Sequence, residues 1–65
     1  MGGNLYPELV RILRNSGCSF VRQAKGSHEI WRSSLTGRIF VVPRNTMKRN
    51  TANGILKEAG LPKAF

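Results

Sequence analysis

Apolar residues recur with helical spacing early in the chain. Tyr6, Leu9, Val10 and Leu13 fall at i, i+3, i+4 and i+7, which lines them along one helix face. The spacing predicts a helix over 5–16, with Asn4 placed to accept a first-turn N–H. Pro7 is tolerated in that first turn, where its missing N–H has no helical partner. Gly17 suits the left-handed residue that ends a helix. The pattern then shortens. Cys18–Gln23, His28–Ser33 and Arg38–Val42 are short runs rich in β-branched and aromatic residues, and each predicts a strand. Lys25-Gly26-Ser27 and Ser34-Leu35-Thr36-Gly37 separate them, with turn chemistry short enough for antiparallel hairpins. Pro43 cannot donate to a ladder and closes the third strand. Arg44–Asn50 is polar and basic and reads as a loop. Ala52, Ile55, Leu56 and Ala59 restore helical spacing, predicting a second helix over Thr51–Ala59. Asn50 would cap it, and Gly60 and Pro62 would end it. Gly54 inside that helix costs about 1 kcal/mol relative to Ala.

The predicted order is α-β-β-β-α. Two helices on one face of a three-stranded meander make an α+β fold, a two-layer sandwich. A chain of 65 residues has room for one small core, so residues 1–65 are expected to form one domain. That size excludes a deep catalytic cavity or a nucleotide-binding fold of two halves. Alternation places His28, Ile30 and Arg32 on one side of the second strand and Glu29, Trp31 and Ser33 on the other. Each side carries a large apolar residue, so the pattern leaves open which one the helices cover. His28 directly follows a turn, which puts it at the end of the sheet, within reach of solvent.

Charge narrows the partners. Eleven Lys and Arg stand against three acids, Glu8, Glu29 and Glu58, for a net charge of +8. A surface of that sign favours polyanions. No apolar run approaches the roughly 20 residues that span a bilayer, and the N-terminus lacks the basic-then-apolar order of a signal peptide. The lone Cys18 cannot form an intramolecular disulfide and fits a reducing compartment. A cytoplasmic protein without a membrane partner is expected.

The chemical inventory is short: one His, one Cys, three Glu and no Asp. Metal sites usually need three or four ligands, so neither a metal nor another cofactor is expected. A Cys18–His28 nucleophilic pair is conceivable across the first hairpin, but a cysteine among apolar neighbours is mostly a packing residue. The segment Lys25-Gly26-Ser27-His28 remains. It suits cleavage of an RNA phosphodiester, because RNA carries its own nucleophile, the 2′-hydroxyl. The enzyme then moves protons and steadies the phosphate. Histidines ordinarily titrate near neutrality, which makes both protonation states accessible. Lys25, Arg22 and Arg32 would offer positive charge to the phosphate, and the Gly26–Ser27 backbone could approach it closely.

The segment from Gly17 to Trp31, with Gly26-Ser27-His28-Glu29-Ile30-Trp31 at its end, resembles the signature of the HicA family of toxin mRNA interferases. Val42-Pro43, the polar stretch, Thr51 and Ile55-Leu56-Lys57-Glu58-Ala59-Gly60-Leu61 extend the resemblance over about residues 5–61. It implies a double-stranded-RNA-binding-domain-like fold, metal-independent cleavage of mRNA and inhibition by a HicB-type antitoxin. The family's catalytic histidine corresponds to His28 and its turn residues to Gly26 and Ser27. Asn53-Gly54 departs from the pattern, where better helix formers are expected. Two other readings compete with an endoribonuclease. One is a non-catalytic double-stranded-RNA-binding-like module, which needs basic loops and no catalytic group. The other is a small basic partner of an acidic chain.

Overall fold

The computed structural model describes residues 3–65; Met1 and Gly2, part of the expected 1–65 domain, lie outside them. The chain runs α1 (Tyr6–Asn15), β1 (Ser19–Gln23), β2 (His28–Arg32), β3 (Ile39–Pro43) and α2 (Arg49–Glu58). The strands form one antiparallel sheet in the order β1-β2-β3, the meander that the short turns predict. This is the α+β, α-β-β-β-α architecture expected. Both helices cover one face of the sheet. Leu9 and Leu13 of α1 and Ala52, Ile55 and Leu56 of α2 join Trp31, Phe40 and Val42 in the core.

The open question of the sheet faces is settled by burial. Glu29, Trp31 and Ser33 face the helices, whereas His28 and Arg32 are exposed and Ile30 is half-buried. Paired residues share a face, so Phe20 and Phe40 flank Trp31 on the covered side, and Arg22 and Val41 flank Ile30 on the open side. A tryptophan buries more apolar area than an isoleucine, and its N–H finds a partner inside.

Element boundaries moved by a residue or two. Leu5, not Asn4, is the N-cap of α1 and makes no side-chain cap bond, but the Asn4 Oδ1 accepts the first helical N–H, that of Tyr6, at 3.0 Å. Gly17 and Gly60 follow the two helices at φ of 90° and 82°, the left-handed conformation their positions require. Cys18 is not in β1, because its N–H turns back to the Leu13 carbonyl at 3.0 Å. Pro43 is admitted as the last residue of β3, paired with His28. The expected start of α2 is corrected. The helix begins at Arg49, with extended Lys48 before it and no side-chain cap, so Asn50 is a helical residue. Tertiary anchors fix this entry: buried Thr46 donates its hydroxyl to the Pro43 carbonyl at 2.6 Å, and its own carbonyl receives the Leu5 N–H at 2.8 Å. Asn53 and Gly54 also gain an account. The Asn53 Oδ1 accepts the N–H groups of Ala64 and Phe65 at 3.1 and 3.0 Å, which lays the final residues against α2. A Cβ on Gly54 would meet nothing within 4 Å, so packing does not require glycine there.

The far end of the sheet is tied by Ser33. Its buried hydroxyl donates to the Ala59 carbonyl at 2.6 Å and accepts the N–H groups of Leu35 and Thr36, both at 3.1 Å. The β2–β3 turn is thereby held to the end of α2.

Candidate catalytic surface around His28

His28 opens β2 at the end of the sheet, exposed and on the face the helices leave bare. The preceding turn is closed by the Ala24 N–H on the His28 carbonyl at 2.8 Å and the His28 N–H on the Lys25 carbonyl at 3.3 Å. Gly26 sits at φ 66° with open space around it, a conformation that a side chain would strain. The turn is also braced from outside. The Gln23 side-chain amide donates to the Gly26 carbonyl at 2.9 Å and the His28 carbonyl at 3.1 Å. The Arg44 N–H donates to the Ser27 carbonyl at 2.8 Å, and the Asn4 amide holds the Arg44 carbonyl at 2.6 Å. The start of α1, the end of β3 and the His28 turn therefore form one bonded unit.

Glu29, the next residue along, is buried on the opposite side. Both carboxylate oxygens accept from the Tyr6 hydroxyl at 2.8 Å, and one accepts from the Trp31 indole N–H at 2.9 Å. The carboxylate therefore braces α1 against β2 and lies on the face opposite His28. The Tyr6 pKa is raised above 10.0. Burial is the largest cause, followed by the Glu29 hydrogen bond and charge, with Arg44 and Arg14 pulling the other way. A raised folded-state pKa means that the folded chain holds the phenolic proton more tightly. That contribution is full below the unfolded pKa and is lost as pH rises through the folded one. Stability is expected to decline above about pH 10, and Tyr6→Phe to flatten the decline in alkaline melting curves. Parallel curves for the two proteins would exclude this role of Tyr6.

Of the residues singled out in the sequence, Lys25, Gly26, Ser27 and His28 are contiguous in this turn and all exposed. Arg22 pairs with Ile30 and is a diagonal neighbour of His28 on the open face, about 7–8 Å away by strand geometry. Arg32 shares that face but lies at the other end of β2, paired with Ser19 and Ile39 and donating to the Gly37 carbonyl at 3.2 Å. The structure does not bring it to His28. Cys18 is likewise buried at that far end, which removes the Cys–His pair. Gln23 is not among the predicted site residues, and Arg44 is expected only as a basic residue of the polar loop that could contact phosphate. A hydrophobicity pattern carries no signal for the bracing by either, since both act through contacts between separate segments. No described side chain hydrogen-bonds the imidazole of the exposed His28. Among the described residues there is no group of three His, Cys, Asp or Glu side chains placed to hold a metal. No described helix is long and apolar enough to cross a membrane.

The site is thus an exposed imidazole on a small basic α+β domain, with Lys25 and Arg22 on its side of the sheet and Glu29 turned inward. Residues 6–61 match the family model described as HicA toxin of bacterial toxin-antitoxin, and the chain belongs to that family. It is the toxin of a toxin–antitoxin pair, and membership implies an antitoxin partner. No curated protein and no solved structure matches this chain.

Proposed function

We propose that residues 1–65 form a single toxin domain that cleaves mRNA as a metal-independent endoribonuclease, with His28 as general acid and base. The observation that carries this reading is the solvent-open His28 imidazole beside Lys25, Gly26 and Ser27, on a sheet face from which Glu29 is turned away. Cleavage joins the 2′-oxygen to phosphorus and breaks the bond to the 5′-oxygen. His28 takes the 2′-hydroxyl proton, and its imidazolium returns a proton to the departing oxygen. Lys25 and Arg22 offset the charge that builds on the phosphate, while Gly26 and Ser27 let backbone approach it. Arg32 would serve a more distant phosphate along the same strand. The α-β-β-β-α order supports the double-stranded-RNA-binding-domain-like fold that the family resemblance implies. The toxin would act in the cytoplasm, where mRNA is, until a HicB-type antitoxin covers His28 and its turn.

Chelator and substrate chemistry test this directly. Cleavage of mRNA by the purified chain is expected to persist in excess EDTA. RNA with a 2′-deoxy sugar at the scissile position is expected to resist, since its nucleophile is missing. Loss of activity in EDTA with recovery on adding a divalent ion would overturn the mechanism.

A further inference from the structure

The two edges of the sheet are not alike. At β1 the register slips between Phe20 and Arg22, a bulge that twists an edge away from new pairing. The Arg22 side chain also covers the Gln23 carbonyl, at 3.3 Å. β3 has neither device. The Ser33 N–H bonds the Arg38 carbonyl at 2.9 Å and the Arg44 N–H bonds the Ser27 carbonyl at 2.8 Å, which sets the phase of the β2–β3 ladder. In an antiparallel pair, bonded and non-bonded residues alternate. Phe40 and Val42 therefore bond β2, and Ile39 and Val41 turn their N–H and C=O groups outward. No described hydrogen bond reaches those groups. Ile39 and Val41 are 58% and 44% exposed, on the open face. Pro43 ends the run without an N–H, its carbonyl already taken by Thr46.

We infer that the free edge of β3 takes up an extended segment of an acidic protein as a fourth strand. The edge offers two donors and two acceptors to a main chain, and the aliphatic Ile39 and Val41 offer contacts for alternate side chains. Charge selects the occupant. Arg38 and Arg44 bracket β3, both exposed, and Arg32 lies beside Ile39 on the same face. Glu29 is buried, Glu8 is paired with Arg11 on α1, and Glu58 is on α2. A second copy pairing antiparallel would set the Arg38 of one chain against the Arg44 of the other, which disfavours self-association. Single-stranded RNA binds by stacking bases on aromatic side chains, and this edge presents aliphatic ones. A strand docked here would run past Pro43, which pairs with His28. Its bearing on the toxin's activity rests on the ribonuclease reading; the docking itself does not.

The test uses the purified chain and an end-capped peptide, Asp-Asp-Val-Thr-Val-Thr-Val-Asp-Asp, with a twin in which Lys replaces every Asp. Amide exchange is followed by NMR at low salt. The acidic peptide is expected to slow exchange at Ile39 and Val41 by roughly tenfold or more, and to bind at least about tenfold more tightly than its basic twin. Val41→Glu, which sets a negative charge against the acidic peptide on the open edge at an exposed position, is expected to abolish the slowing without lowering the melting temperature. Unchanged exchange at millimolar acidic peptide, or equal binding of the twin, would overturn the inference. So would slowing that depends only on toxin concentration, which would make a second copy the occupant, or equal slowing by a short single-stranded RNA. None of these readouts uses cleavage, so a failure here and a failure of the ribonuclease reading are separable.

Discussion

A His28→Ala protein is expected to lose RNA cleavage by about 10²–10⁴-fold, the usual contribution of a general acid–base group, while keeping its melting temperature. The separation of the two effects follows from position. His28 is exposed, its imidazole has no described hydrogen-bond partner, and it joins the bonds of its turn only through its own backbone N–H and carbonyl. Alanine preserves every one of them. RNA affinity is expected to change little, because Lys25, Arg22 and Arg44 remain and phosphate contacts carry most of the affinity. The measurements are cleavage rate, RNA binding and thermal unfolding on the same preparation, with growth inhibition as the cellular counterpart. A folded variant that cleaves at the wild-type rate removes His28 from the chemistry. If neither protein cleaves and both bind RNA equally, the non-catalytic binding module is the better reading.

Trp31→Ala is expected to leave the chain unfolded at 25 °C. The side chain is fully buried, meets Phe20 edge-on with ring centroids 6.1 Å apart, and has the Arg14 guanidinium 5.2 Å from its ring centroid. Removing a buried tryptophan costs about 3–5 kcal/mol, and a domain of this size has roughly 3–5 kcal/mol in total. The indole also donates to Glu29, so truncation leaves a buried carboxylate with one donor fewer. Trp31→Phe separates the two contributions. Most of the ring burial stays and the N–H goes, with an expected cost of about 1–3 kcal/mol. At about 4–8 °C per kcal/mol for a small domain, that lowers the melting temperature measurably without unfolding the chain at room temperature. Circular dichroism melts of the three proteins decide it, and wild-type stability in Trp31→Ala would contradict the packing described for the core.

Some features of the site were legible in single residues and others were not. Gly-Ser-His at a turn marked the place of His28, because turn chemistry is local and a residue just after a turn must lie at a sheet end. Alternation groups Arg32 with His28, but it reports a shared face and says nothing about distance along the strand. Gln23 and Arg44 brace the turn through bonds to carbonyls of Gly26, His28 and Ser27. Their residue types are common in loops and strands with no such task.

The sequence by itself determined the order of elements, the antiparallel meander and the helix ends at Gly17 and Gly60. Each of these depends on interactions within a few residues: apolar periodicity, turn length and the backbone freedom of glycine. Tertiary structure decided which face of β2 is covered, since Trp31 and Ile30 are both apolar and only the fit against α1 and α2 ranks them. It also decided where α2 begins, through Thr46 anchored to Pro43 and Leu5. And it decided that Glu29 serves the interior: with Tyr6 and Trp31 as donors its carboxylate can be buried, which leaves the open face at His28 positively charged.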